Sequence, residues 1–146
     1  AQFNLGAKCE QGQGVEKNDK EAARWYRLAT EQGDAQAQFN MGLMYHQGQG
    51  VARDEKEAAR WYRLASEQGD AQAQLNLGFS YAQGEGVEKN EKEAVRWYRL
   101  AAKQGHAQAQ FNMGLMYHQG QGVARDEKEA ARWYRSAAEQ GQADAQ

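Results

Sequence analysis

The chain has 146 residues, a formal net charge of −2 and a mean hydropathy of −1.02. It has no proline, no isoleucine, one threonine (Thr30) and five valines, while alanine (26) and glutamine (20) dominate, so a large β-sheet is excluded and helix is favoured. No apolar run approaches the ~18 residues that read as a bilayer span, the net charge gives nucleic acid or an acidic membrane no electrostatic attraction, and the single cysteine, Cys9, cannot close an internal disulfide.

A fixed step of 36 residues relates Trp25, Trp61, Trp97 and Trp133. The same step relates Phe3, Phe39, Leu75 and Phe111, and also Gly14, Gly50, Gly86 and Gly122. Such a period marks stacked repeats. The repeats are residues 1–34, 35–70, 71–106 and 107–142, with 143–146 opening a truncated fifth, and together they are expected to form a single repeat domain. Residues 35–63 and 107–135 are identical, and the first and third repeats share GVEKN. Recent duplication and deliberate construction both explain this. The chain opens two residues inside a repeat without an initiator methionine. A fragment of a longer array and a mature chain after signal removal explain that equally well.

In chain order, each repeat reads as a leading helix, a glycine turn and a trailing helix. In the first repeat Ala1 matches Ala37, and Asn18 with Glu21 forms a capping box ahead of the trailing helix. In the second, Asp34 is the N-cap of a leading helix from Ala35 to about Gln47. Ala37, Met41, Met44 and Tyr45 cluster on its packing face, and Gly42 beside them lets a neighbouring backbone approach. Gly48 and Gly50 break the helix. Asp54 and Glu57 repeat the capping box, as do Asn90–Glu93 and Asp126–Glu129. The trailing helix runs from about Glu55 to Gln68, with Ala58, Trp61, Tyr62 and Ala65 facing inward and Glu57, Arg60, Arg63 and Glu67 outward. Gly69 suits the left-handed position after a helix, and Asp70 caps the next helix at once. Such short links force antiparallel neighbours. At the third junction His106 replaces the capping aspartate and is expected to be the weakest cap. One helix pair cannot bury its Trp and Tyr alone, so stacking must bury them. At ~2–3 kcal/mol for each buried aromatic, the Trp–Tyr pairs are expected to be the main stabilising contacts.

These elements carry a family resemblance. AQAQFNMGLMYHQGQGVARDEKEAARWYRLASEQGD resembles a Sel1-like repeat, a relative of the tetratricopeptide repeat. MGLMY stands where that family has LGxxY, followed by GQGV, by DEKEA, by WY-x-x-A and by the closing glycine. The pattern recurs four times over essentially the whole chain. The first repeat departs from it, reading LGAKC and placing Cys9 at the tyrosine position. The resemblance implies an all-α fold, a right-handed α/α superhelical solenoid of four 36-residue helix pairs, with the leading helices lining the concave side. It also implies a scaffold or adaptor that binds other proteins. Bacterial members are often exported, so a periplasmic or secreted bacterial protein is one expectation, and the compartment stays open.

On the leading helix of the second repeat, Gln36, Phe39, Asn40, Leu43, His46 and Gln47 fall within about 120° of arc opposite the packing face. Asn4, Asn40, Asn76 and Asn112 then form a ladder along the groove. Asn has both a donor and acceptors, so a row of them can bond an extended peptide backbone without reading its sequence. In tetratricopeptide proteins, which the chain resembles, the matching asparagine often contacts bound peptide. Beside the ladder run Ala7, Leu43, Phe79 and Leu115, an apolar stripe if exposed. With Gln36, His46 and His118, these positions are the expected partner-binding set. The purely structural alternative has Asn bracing an adjacent helix and the Phe39-type residues packing between repeats.

Other features point away from chemistry. His46 and His118 lie two repeats apart, roughly 20 Å, too far to share zinc, whose ligands sit about 2.0–2.1 Å away. No metal or cofactor is expected. GQG and GEG follow no strand, so they read as helix stops and not as phosphate loops. The RWYR tetrads place Arg24, Arg60, Arg96 and Arg132 on a solvated face beside glutamates, so single-stranded nucleic acid is not an expected partner. Cys9 reads as a small buried hydrophobe. No Ser–His–Asp or Cys–His set can be assembled. A cysteine-rich bacterial subgroup of the family is linked to β-lactam chemistry, but it carries paired cysteines in each repeat, and that carry-over fails here. The reading is a protein–protein interaction scaffold, with no enzymatic activity, that binds a peptide or protein segment in its groove. A structural or designed array without a dedicated ligand is the alternative, ahead of a hydrolase. Both terminal surfaces resemble internal interfaces, so head-to-tail stacking of chains is also expected.

Overall fold

The structure is a computed structural model that describes residues 18–145. Expectations for Phe3, Asn4, Ala7, Cys9, Gly14 and the first leading helix lie outside the described residues. Among those described there are seven α-helices and no strand: α1 (Asp19–Thr30), α2 (Ala35–Gln47), α3 (Glu55–Glu67), α4 (Ala71–Gln83), α5 (Glu91–Lys103), α6 (Ala107–Gln119) and α7 (Glu127–Ala145). The chain forms two compact units, Ala1–Asp70 with α1–α3 and Ala71–Gln146 with α4–α7.

The helix starts follow from their caps. Asp34 Oδ1 accepts from the Ala37 N–H at 3.1 Å, and Asn18, Asp54, Asn90 and Asp126 accept from Glu21, Glu57, Glu93 and Glu129 at 3.1–3.2 Å. Only half of the expected capping box forms at the last three. The backbone N–H of Asp54, Asn90 and Asp126 donates to the Tyr45, Tyr81 and Tyr117 carbonyls of the preceding helix. The glutamates therefore turn outward and pair with Arg60, Arg96 and Arg132. His106 does cap α6, through Nδ1, but at 3.4 Å it is the longest of the caps. Because that nitrogen accepts from an amide, the proton sits on Nε2, which lies 3.0 Å from Gln72 Oε1.

The glycines of the GxGV turn have two jobs. Gly48 and Gly120 end their helices in the left-handed region, at φ 69° and 66°. Gly50 sits against the Asp19 carbonyl and Gly122 against that of Glu91, so tightly that a Cβ would collide with backbone. The following valines, Val51 and Val123, pack on the cores of their units.

Those cores are built from small and sulfur-containing residues around one tyrosine. In the first unit Ala22, Ala23, Tyr26, Met41 and Met44 pack together, with Trp25 and Trp61 partly buried at the edge. In the second, Ala94, Val95, Tyr98, Ala101, Met113 and Met116 do the same, with Trp133 at the edge. The aromatic doublets are thus unequal. Tyr26, Tyr62 and Tyr98 are 1–3% exposed, whereas of the tryptophans only Trp97 is fully buried. Gly42, Gly78 and Gly114 each seat the tyrosine of a doublet. A Cβ at these positions would stand 2.5–2.7 Å from the ring of Tyr62, Tyr98 and Tyr134. The approach expected at Gly42 is therefore mainly that of a tyrosine ring seated flat on the glycine.

The last helix differs from the others. α3 and α5 stop one residue before Gln68 and Gln104, whereas α7 runs through the equivalent Gln140 and Gly141 to Ala145. Gln142 stands where Asp34, Asp70 and His106 begin a new helix, and glutamine is a poor cap. One consequence is internal. Gln68 and Gln104 donate back to Gln38 and Gln74 at 2.7 and 2.9 Å, but the buried Oε1 of the matching Gln110 has no partner among the described residues.

Candidate functional site

In the second unit, the leading helices α4 and α6 flank a trough of about 460 Å³. Its apolar surface comes from Leu75, Phe79, Ala82, Leu115 and Met116, and Tyr98 of α5 lies beneath. Six amides, Asn76, Gln83, Gln108, Asn112, Gln119 and Gln121, line the rest. The structure thus brings together four residues chosen from sequence: Asn76, Phe79, Asn112 and Leu115. Phe79 is 47% exposed, a large apolar ring open to solvent.

The asparagines are held in a recurring way. Gln36, Gln72 and Gln108 donate through Nε2 to Oδ1 of Asn40, Asn76 and Asn112, one helical turn on, at 3.1–3.3 Å. Each asparagine is therefore braced by its own helix, which orients the amide. The Nδ2 donors have no partner among the described residues. In the first unit, Asn40 and Leu43 are half-buried on α2 and Gln36 is exposed. Phe39 is 7% exposed and stacks on Tyr62 at 5.8 Å, so it belongs to the packing and not to an open surface.

His46 and His118 serve as braces. Their Nδ1 atoms lie 3.0 Å from Glu55 and Glu127, which also accept from Arg53 and Arg125 at 3.1 Å. Each set ties the end of a leading helix to the start of its trailing helix. His118 and Arg125 hold the Glu127 carboxyl below the usual carboxylate range. The arginines behave partly as expected. Arg60 and Arg96 pair with glutamates three residues earlier at 2.9 and 3.4 Å. The second arginine of the tetrad reaches the next leading helix: Arg27 donates to the Tyr45 hydroxyl at 3.2 Å and Arg99 to that of Tyr117 at 3.0 Å.

Sequence reasoning missed three groups in the trough. Met116 falls on the packing face by angle, yet its flank lines the trough. Gln121 sits in the glycine turn, whose path no helical periodicity describes. Tyr98 comes from the neighbouring helix. It is 3% exposed, and burial pushes its phenol up to about 12. Gln108 carried a readable signal, four residues before Asn112.

Helix pairs recurring along the chain, with no strand among the described residues, define the helical-repeat solenoid class. The chain belongs to the Sel1 repeat family, whose model matches residues 1–34, 35–70, 71–106 and 107–142. Sel1 repeat proteins are typically non-catalytic scaffolds. No curated protein matches the chain. Among solved structures, a Sel1 repeat protein from Oxalobacter formigenes is 45% identical over 96% of this chain and 58% of its own, with a TM-score of 0.92. A protective antigen of uropathogenic Escherichia coli displaying an SLR fold is 40% identical over 96% of this chain and 30% of its own, with a TM-score of 0.94. The chain therefore spans little more than half of the first protein and under a third of the second. Helicobacter pylori cysteine rich protein B shares the fold at 22% identity and a TM-score of 0.67, over 92% of this chain and 96% of its own.

Proposed function

We propose that the protein is a non-enzymatic adaptor that holds an extended segment of another protein in the trough between α4 and α6. The observation that carries this reading is the convergence of Asn76, Asn112, Phe79 and Leu115 on one trough. Two amide donors a repeat apart suit a peptide backbone, and Phe79 with Leu115 offers apolar contact to its side chains. Gln36, Asn40 and Leu43 are the matching positions of the first unit, and Asn4 matches them by sequence. His46 and His118 each keep Nε2 for a partner at the same helix ends. The test is affinity capture from a source lysate with the wild-type chain and with Asn76→Ala/Asn112→Ala. The expected result is an unchanged helical circular dichroism spectrum and a partner recovered at least about tenfold less well, since every ~1.4 kcal/mol of lost hydrogen bonding is tenfold in affinity. Equal recovery by both chains would remove the asparagines from the site.

A second reading concerns the end of the second unit. Phe111 is 44% exposed and, with Tyr134, Ala137 and Ala138, lines an apolar hollow of about 460 Å³. This supports head-to-tail association of chains through that face. Sedimentation of wild type and Phe111→Ser tests it: a weight-average mass that rises with concentration only in the wild type is expected, and a strict monomer at millimolar concentration would refute it.

A further inference from the structure

We propose that the α4–α6 trough selects an uncharged segment and rejects charged ones, so that its partner is an electrically neutral, extended stretch of polypeptide with an aliphatic or aromatic side chain at its centre. This deepens the adaptor reading and rests on it.

Charged residues make up 26% of the chain, yet none of the twelve that line the trough is charged. Several charges of the same unit are engaged elsewhere. Arg96 pairs with Glu93, Arg132 with Glu129, and Glu127 with His118 and Arg125, while Arg99 donates to Tyr117. A ligand carboxylate or ammonium entering the trough would lose hydration and meet no counter-ion, which is unfavourable. A neutral peptide meets what it needs. Amides offer donors and acceptors together, matching backbone C=O and N–H. Phe79 is the exposed apolar contact, with Leu115 beside it.

Tyr98 adds an independent observation. It is almost wholly buried and it lines the trough. Burial keeps that phenol protonated well beyond neutral pH, so it stays an O–H donor without charge. A neutral donor set of this kind, beside an absence of counter-ions, is how a site discriminates against charged competitors.

The experiment is selection of a random displayed-peptide library on the whole chain, with Asn76→Ala/Asn112→Ala as the counter-selection, followed by titration of the enriched peptides. Enriched peptides should be depleted in Asp, Glu, Lys and Arg at their central positions. Their Kd should change less than about twofold between ~0.05 and ~0.5 M salt, because neutral contacts are little screened. An Asp or Lys placed at the centre should weaken binding at least about tenfold. Tyr98→Phe, which keeps the ring on Gly78, should weaken it about threefold with an unchanged melt. Enriched peptides that are charged, or lose about tenfold in affinity with salt, yet bind the double variant poorly, would overturn this inference and leave the adaptor reading standing. Peptides that bind both chains equally, or no enrichment, would overturn both.

Discussion

Residues 35–63 and 107–135 have the same sequence, and their local geometry is nearly the same. The leading helices have equal length, Gly48 and Gly120 differ by 3° in φ (69° and 66°), and the His–Glu braces are both 3.0 Å. Burial is not the same. Phe39 is 7% exposed and Phe111 44%, and Tyr62 is buried where Tyr134 is only half-buried. The trailing helix of the first copy closes with the Gln68–Gln38 bond, whereas the buried Gln110 oxygen of the second copy has no partner among the described residues. Caps and turns are therefore properties of the segment, while burial is a property of its surroundings. A residue's energetic weight follows the surroundings.

Paired substitutions sharpen that contrast. Tyr62→Ala should cost about 3–5 kcal/mol in urea unfolding and Tyr134→Ala clearly less, because a half-buried ring has less contact to lose. Equal losses would show that exposure does not grade these sites. Next in size, Gly42→Ala should cost about 1–3 kcal/mol by overpacking against Tyr62. Gly114→Ala should cost less, since the Tyr134 ring has room to swing outward. The same melts decide this pair, and a stabilised Gly42→Ala would contradict the seating of the ring. His106→Asp gives α6 the cap that α2 already has and should stabilise by about 0.5 kcal/mol, through the shorter bond and the negative charge at the helix start. A loss would mean that the His106–Gln72 contact matters more than the cap. The smallest effect belongs to Glu127→Gln. The Glu127 carboxyl is held below its ordinary range when folded, so its contribution is full above that range and fades as pH falls through the folded value. The variant should thus differ from wild type at about pH 7 and converge with it near pH 3. A gap that persists in acid would remove the carboxylate as its cause.

Much of the site could be read from sequence. The positions of Asn76, Asn112, Phe79 and Leu115 follow from one period and one helical angle, and the structure brings all four to one trough. Phe39 shares that arc yet packs on Tyr62, because an angle tells which way a side chain leaves its helix and not what waits there. The Trp–Tyr doublets show the same limit. Spacing puts both on one face, but only the tyrosine meets the glycine that admits its ring. Half of the capping box at Asp54, Asn90 and Asp126 was lost because a tyrosine carbonyl from the preceding helix reaches the cap first.

The amino-acid sequence by itself determined the repeat, the helix boundaries and the turns, since these depend on neighbours within a few residues through cap side chains and positive-φ glycines. Tertiary structure alone decided which aromatics are buried, which arginines reach across to tyrosines, and which helix supplies Tyr98 to the trough. Those outcomes depend on atoms far apart in the chain, whose approach distance no local period encodes.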